Sequence, residues 1–209
     1  TLMLGISAFP VNPRSAEAAF EGWAVDETQW TYSENGAVIT SKGNVIDSIR
    51  SAGTVSANKI DFSAAIQRVQ SDVDGNIGLY YRCQTGEDYF FEYNSVLNFL
   101  RIRKLVNDAA VTEEIVPYIM ELGEWYDFSV ILKETSIEFY VNHTLMMTQA
   151  GEFGTVFQNG TCQIQGYNTV LSLRDCAFSQ YDETDSGETD WVYNQNWILG
   201  EDGAVTSNG

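Results

Sequence analysis

The strongest constraint on the fold is a rhythm of short β-prone runs broken by turn signals. Ala37-Val38-Ile39-Thr40 is short and β-prone, and Ile60 to Val69 alternates in part through Phe62, Ala64 and Ile66. Gly78 to Cys83 and Tyr89 to Tyr93 are compact aromatic runs. Phe99 to Leu105 sets Phe99, Ile102 and Leu105 among Arg101, Arg103 and Lys104. Trp125 to Leu132 and Ser136 to Met147 are rich in Val, Ile, Tyr and Phe, the residues that fit a pleated, half-buried surface. Between the runs lie Asp-Gly, Thr-Gly-Glu-Asp, Ser-Val-Leu-Asn and Lys-Glu-Thr segments suited to hairpins, and Asn142-His143 reads as a tight turn. Only Val116 to Leu122 reads as a short helix. The pattern predicts an all-β chain folded as an antiparallel β-sandwich.

A block near the start recurs near the end. Trp30 is followed six residues later by Gly36-Ala37-Val38, and Trp197 at the same spacing by Gly203-Ala204-Val205. Trp23 precedes the first and Trp191 the second, while Thr40-Ser41-Lys42-Gly43 is echoed by Thr206-Ser207-Asn208-Gly209. Such self-similarity marks a repeated structural unit. It divides the chain into 1–20, a remnant of a signal peptide or a flexible N-terminus; 21–180, one whole module; 181–190, an acidic linker; and 191–209, the truncated start of a second, related module. The linker carries five acidic residues with Ser, Thr and Gly, a composition that favours solvation over packing.

Acidic residues outnumber basic ones 29 to 11, so the surface repels phosphate backbones and anionic lipid headgroups. Nucleic acid is excluded as a partner, and no segment is long and apolar enough for membrane insertion. Cys83, Cys162 and Cys176 lack the CxxC spacing of zinc or thioredoxin-like sites. An intramodule disulfide and buried free thiols both remain open. Thr1 to Phe9 is short and mostly apolar, and Ala16-Glu17-Ala18 followed by Ala19 has the small-x-small form of a signal-peptidase site. The expected location is secreted or on the cell surface, with the module a monomer inside a multidomain chain.

The order of motifs from Glu21 to Phe178 resembles the concanavalin A/laminin G-like jelly-roll sandwiches attached to secreted glycosidases. It is similar above all to the modules of levanases, the carbohydrate-binding module family 66 type. The residues that carry this are Gly22-Trp23, Trp30, Gly36, Asp61-Phe62 and Gly78-Leu79-Tyr80-Tyr81-Arg82. They continue through the ungapped run Tyr89 to Asp108 and Gly123-Glu124-Trp125-Tyr126. Ile137 to Asn142, Phe153-Gly154, Gln165-Gly166-Tyr167 and Ala177-Phe178 complete the series. The resemblance implies a non-catalytic module that binds fructan (levan or inulin) within a modular glycoside hydrolase. This chain departs from the family's pattern at Ala64-Ala65 and Asn94, where acidic residues are common.

The carbohydrate-binding candidates are Arg82, Tyr89, Glu92, Asn94 and Tyr167. Arg82 offers a planar fork able to pair two adjacent hydroxyls, and the resemblance places the family's fructose-contacting arginine at a similar position. Tyr89 and Glu92, three apart on one strand, point to opposite faces and share a pocket only across a bulge. Tyr167 follows Gln165-Gly166 in a loop and is a stacking candidate. Lys104 reads as a solvated strand lysine. Trp23, Trp30 and Trp125 are expected in the core, because large aromatics dominate burial.

Catalytic chemistry finds little support. His143 is the only histidine and lies in a turn, so neither a Ser-His-Asp site nor a three-histidine metal site can be assembled. The Glu-x-Asp-x-x-Glu strand of glycosidases on this sandwich is absent, and Glu87-Asp88 and Asp72-x-Asp74 lie in turns rather than on facing strands. Turn carboxylates can hold a structural Ca²⁺, for which Asp72, Asp74 and Asp88 are the candidates. The main alternative to a sugar-binding module is a laminin G-like adhesion or spacer domain of a surface protein. A hydrolase or lyase on the same sandwich is the third reading.

Overall fold

The computed structural model of the protein describes residues 20–55, 59–70, 75–153, 157, 159–181, 197–199 and 205–207. The strands follow in chain order. β1 (Trp23–Ala24), β2 (Trp30–Tyr32), β3 (Ile39–Ser41) and β4 (Ile46–Ser51) are short. The longer β5 (Lys59–Arg68), β6 (Asn76–Cys83), β7 (Glu87–Asn94), β8 (Phe99–Val106) and β9 (Ala109–Pro117) come next. They are followed by β10 (Trp125–Leu132), β11 (Ser136–Val141), β12 (Thr144–Ala150), β13 (Gly160–Tyr167) and β14 (Leu171–Tyr181). A separate pair, β15 (Trp197–Leu199) and β16 (Val205–Ser207), lies beyond them.

Two seven-stranded sheets form the sandwich, in the orders β1-β4-β13-β6-β7-β8-β9 and β12-β11-β10-β5-β14-β3-β2. Every pairing within them is antiparallel. The fold is the antiparallel β-sandwich expected from the run of short β-prone segments, in the jelly-roll form that the resemblance implies. On β6, Ile77, Leu79, Tyr81 and Cys83 enter the core, whereas Asn76, Gly78, Tyr80 and Arg82 take the opposite face. Aromatic rings join the sheets: Phe62 of β5 meets Tyr81 and Phe91, and Phe91 meets Phe139 of β11, at centroid separations of 6.1–6.4 Å. Full burial of one such side chain contributes about 1.5–3 kcal/mol. Phe153 and Phe157, from the β12–β13 connection, close one end of this core against Tyr89 and Tyr81.

Turn chemistry sets the hairpin registers. Asn142 and His143 both have positive φ, as the two-residue β11–β12 turn requires, and the Asn142 Oδ1 accepts from the Asp127 N–H. Asn107 and Asp108 do the same between β8 and β9. That second hairpin removes the helix expected at 116–122. Val116 and Pro117 instead complete β9, paired to Leu100 and Phe99, so cross-strand pairing overrides a local apolar cluster.

Trp23 and Trp30 are buried, each ring N–H donating to a backbone carbonyl, of Cys176 and Ser48 respectively. Trp125 departs from expectation: it is only half-buried, at the start of β10, with the Arg174 guanidinium 4.4 Å from its ring centroid. Tyr181 also departs, because it ends β14 in register with Lys59 rather than opening the linker. Residues 1–19 and 182–196, which hold the expected leader remnant and the body of the linker, lie outside the described residues.

The repeated block makes the same hairpin twice. Trp30 pairs with Ser41 and Trp197 with Ser207, each serine being the second residue of its Thr-Ser-x-Gly echo. The first hairpin extends a sandwich sheet, whereas β15 and β16 form a two-stranded sheet of their own. Deleting 182–209 is therefore expected to leave the denaturation midpoint of the sandwich unchanged; a lower midpoint would show that the tail packs into it.

All three cysteines are free and buried. Burial pushes the Cys83 thiol up from 9.0 to about 12, helped by the Asp88 and Glu87 carboxylates, and burial likewise raises Cys162, Cys176, Tyr81 and Tyr89. Each of these groups ionises at higher pH in the folded chain than in the unfolded chain. Their stabilising contribution is thus complete below about pH 9 and is lost as pH rises toward about 12. Circular dichroism between pH 8 and 12 should show unfolding in that window, with all three thiols unreactive toward a thiol reagent until it occurs.

Candidate functional site

The outer face of the β1–β9 sheet collects most of the candidate residues. Cross-strand register lays it out in rows. Ile46, Tyr167, Asn76, Asn94, Phe99 and Pro117 cross the sheet at one end. Ser48, Gln165, Gly78, Glu92, Arg101 and Ile115 form the next row, and Arg50, Gln163, Tyr80, Phe90, Arg103 and Glu113 the third. Thr161, Arg82 and Asp88 follow. The period of two puts these residues on one side because their neighbours Leu79, Tyr81, Phe91 and Ile102 are needed in the core.

Glu92 is the centre of the face. Its side chain is 1% exposed and receives the Tyr80 hydroxyl at 3.0 Å, the Arg101 Nε at 2.5 Å and the Arg103 Nη2 at 3.1 Å. Arg101 also reaches Glu113 at 2.9 Å. Burial and the adjacent Glu92 carboxylate push the Tyr80 phenol well above its usual range, which keeps it a donor. Gly78 opposes Glu92 across the β6–β7 pair, and a Cβ there would meet the Glu92 Cα at 2.7 Å and collide with the Phe91 carbonyl oxygen. The absent side chain lets the two strands approach at this point.

Arg82 forms a second arm. Its Nε donates to Gln163 Oε1 at 2.7 Å and its Nη1 to Asp88 Oδ2 at 2.9 Å, and Gln163 in turn donates to Gln165. Burial raises the Asp88 carboxyl above its usual range, opposed by Arg82. Between the two arms stands Phe90, with the Arg82 and Arg103 guanidiniums 5.3 and 5.1 Å from its centroid and the Tyr80 ring edge-on at 4.5 Å. Such cation–π contacts fix the planes of the guanidinium forks.

The sequence candidates distribute unevenly. Arg82, Glu92, Asn94 and Tyr167 share this face. Tyr89 does not: it is fully buried, its ring against Phe153 and Phe157 and its hydroxyl on Glu87, because odd positions of β7 supply the core. No bulge interrupts β7 to turn it outward. Asn94 is engaged by the β7–β8 turn, where its Oδ1 accepts from the Val96 and Leu97 N–H groups and its Nδ2 donates to Asn76. Tyr167 is the open aromatic, 37% exposed beside Ile46. Lys104, expected in solvent, pairs with Glu87 at 2.9 Å over the Tyr89 ring.

Of the metal candidates, Asp72 and Asp74 lie outside the described residues, and Asp88 is taken up by Arg82. Among the described residues no group of three or more His, Cys, Asp or Glu is placed to hold a metal ion. His143 is exposed in its turn, 3.7 Å from Asp127. No helix among the described residues is long and apolar enough to cross a membrane. Sequence reasoning missed Tyr80, Phe90, Arg101, Arg103, Gln163 and Gln165. Alternation within β6, β7 and β8 marks Tyr80, Phe90, Arg101 and Arg103 as turned away from the core, but their meeting depends on the pairing of these strands, and that of the two glutamines on β13.

Neither a family profile nor a curated protein matches the sequence. Solved structures match the fold. A carbohydrate binding module CBM66 from Bacillus subtilis superposes with a TM-score of 0.61 at 14% identity, covering 76% of this chain and 96% of the module. A Bacillus licheniformis β-glucanase matches at 0.55 and 10% identity over 78% of this chain and 86% of its own. An alginate lyase matches at 0.51 and 8% identity, covering 76% and 78% respectively. At these identities the likeness is one of fold.

The two arms of the site differ in what they contribute to stability. Glu92 is buried among two guanidiniums, so Glu92→Ala strands charges in a desolvated setting and is expected to cost about 3–5 kcal/mol. Arg82 is 41% exposed, and Arg82→Ala is expected to cost no more than about 1 kcal/mol. Urea melts of the two variants check this; equal midpoints would remove Glu92 as an anchor of the sheet.

Proposed function

We propose that the chain is a non-catalytic glycan-binding module whose ligand lies across the outer face of the β1–β9 sheet. The observation that carries this reading is the union, on one sheet face, of oriented arginines, side-chain amides and the exposed ring of Tyr167. Sugars present C–H faces that pack on rings and hydroxyls that need charged or amide partners. Arg82 and Arg103, with Gln163 beside them, supply the polar partners, and Tyr167 at the edge of the face supplies the exposed ring. Their contacts with one another hold the donors in place before a ligand arrives, which lowers the entropy lost on binding. The match of this sandwich to a carbohydrate binding module supports the reading at the level of fold.

A role as an accessory part of a secreted, modular glycoside hydrolase fits the second Trp–Ser hairpin, which we take as the opening of a related module. Fructan is the ligand that the sequence resemblance implies. Two of its candidate residues, Tyr89 and Asn94, are occupied elsewhere, so Arg82 and Tyr167 remain to meet a ligand, with Glu92 holding the neighbouring arginines.

Isothermal titration against levan, inulin, fructose and a panel of neutral and acidic oligosaccharides tests the function. Saturable binding, lost in Arg82→Ala with the fold intact, is the expected result. Flat heats across the panel with folded protein would overturn it and leave the adhesion or spacer reading in its place.

A further inference from the structure

Four of the seven arginines in a chain of net charge −18 fall on this one face: Arg50, Arg82, Arg101 and Arg103. Their described acidic neighbours are Asp88, Glu92 and Glu113, so the face is locally cationic on a strongly acidic protein. Hydrogen-bond capacity is unequal in the same sense. At the centre, both Glu92 oxygens, the Gln163 oxygen and the Gln165 oxygen already accept from protein donors. Donors remain. A guanidinium carries five N–H groups, of which Arg82 uses its Nε and Nη1 and Arg103 its Nη2 toward described side chains. Among the described residues the Arg103 Nε is buried without a partner, and Arg50, across from Gln163, has no side-chain partner.

A neutral sugar answers such a surface poorly, since each hydroxyl brings a proton that also seeks an acceptor. A carboxylate brings only acceptors, and its planar pair of oxygens matches the guanidinium fork. Phe90 is buried beneath the Arg82 and Arg103 guanidiniums, so the two cations it stacks, rather than its own ring, face a ligand.

We propose that this face binds its glycan through a carboxylate held by Arg82 and Arg103, making the ligand a uronic-acid-bearing oligosaccharide. This rests on the glycan-binding reading above and specifies its substrate class. Titration of the whole chain with trigalacturonate and trimannuronate, each beside its carboxyl-reduced counterpart, tests it, with levan and a sulfated trisaccharide as further arms. Short ligands are chosen so that repulsion from the acidic remainder of the protein stays small.

The expected result is that at least one uronate trimer binds about tenfold or more tighter than its reduced form. Arg82→Gln should weaken that binding by a similar factor with unchanged melting behaviour, and Arg103→Gln should weaken it likewise at a lower melting midpoint, because it removes a partner of the buried Glu92 carboxylate. Equal affinity for the reduced form would overturn the carboxylate assignment. So would saturable binding confined to levan or another neutral glycan, which would leave the glycan-binding function standing. Tighter binding of the sulfated trisaccharide would overturn the uronate class in favour of sulfate esters. Silence in every arm would overturn both the assignment and the function. If Arg103→Gln fails to fold, the comparison of each uronate with its reduced form and the Arg82→Gln variant decide the matter.

Discussion

Everything in this structure depends on the pleat of β6 and β7. Alternate residues of these two strands must fill the space between the sheets, and Leu79, Tyr81, Phe91 and Tyr93 do so against Phe62 and Phe139. The intervening residues are then committed to the opposite face. The proposed recognition surface is the reverse side of the core, and its composition is constrained residue by residue through the same alternation. A single-residue slip between β6 and β7 would bury Arg82 and expose Tyr81. The Gly78 contact with Glu92 and the paired asparagines Asn76 and Asn94 resist that slip at the centre and at one end of the pair.

The buried carboxylate of Glu92 links architecture to chemistry. Two guanidiniums and a phenol converge on it, and each belongs to a neighbouring strand. A carboxylate so enclosed is poorly placed to act on a ligand itself. Its value lies in orientation, because it fixes Arg101 and Arg103 while their remaining N–H groups stay free for other acceptors. The same logic applies to Asp88 and Gln163 around Arg82. An arginine face without such partners would lose more side-chain entropy on binding. The face is pre-organised by its own ion pairs, and what it offers a ligand is the donor surplus left over.

Much of the fold was legible in the chain, and less of the site. Short β-prone runs and turn residues sufficed for an antiparallel sandwich, because hairpins are local and their signals lie within a few residues. The Asn142-His143 turn is an example. The helix expected at 116–122 failed because β9 is stabilised by partners on β8, which no window of its own sequence contains. Trp125 failed because ring size does not say which face of a strand a residue occupies. Among the site candidates, Arg82 and Glu92 were readable, as charged residues in otherwise apolar strands. Tyr89 was misplaced, since a tyrosine suits core and sugar platform equally well, and only the register with Phe153 and Phe157 separates the two.

The tandem Trp and Gly-Ala-Val block shows the same division. The sequence by itself determined that one local unit occurs twice, because the tryptophan, the Gly-Ala-Val turn and the flanking β-prone residues recur at the same spacing. It also determined the fold class, the excess of acid and the lack of a catalytic histidine set. Tertiary structure alone decided that the first hairpin joins a seven-stranded sheet while the second pairs only with itself among the described residues. It alone brought Arg82, Phe90, Arg103 and Gln163 together from four strands. The physical reason is that strand alternation is written in the chain, whereas the identity of the neighbouring strand is set by burial of a shared core.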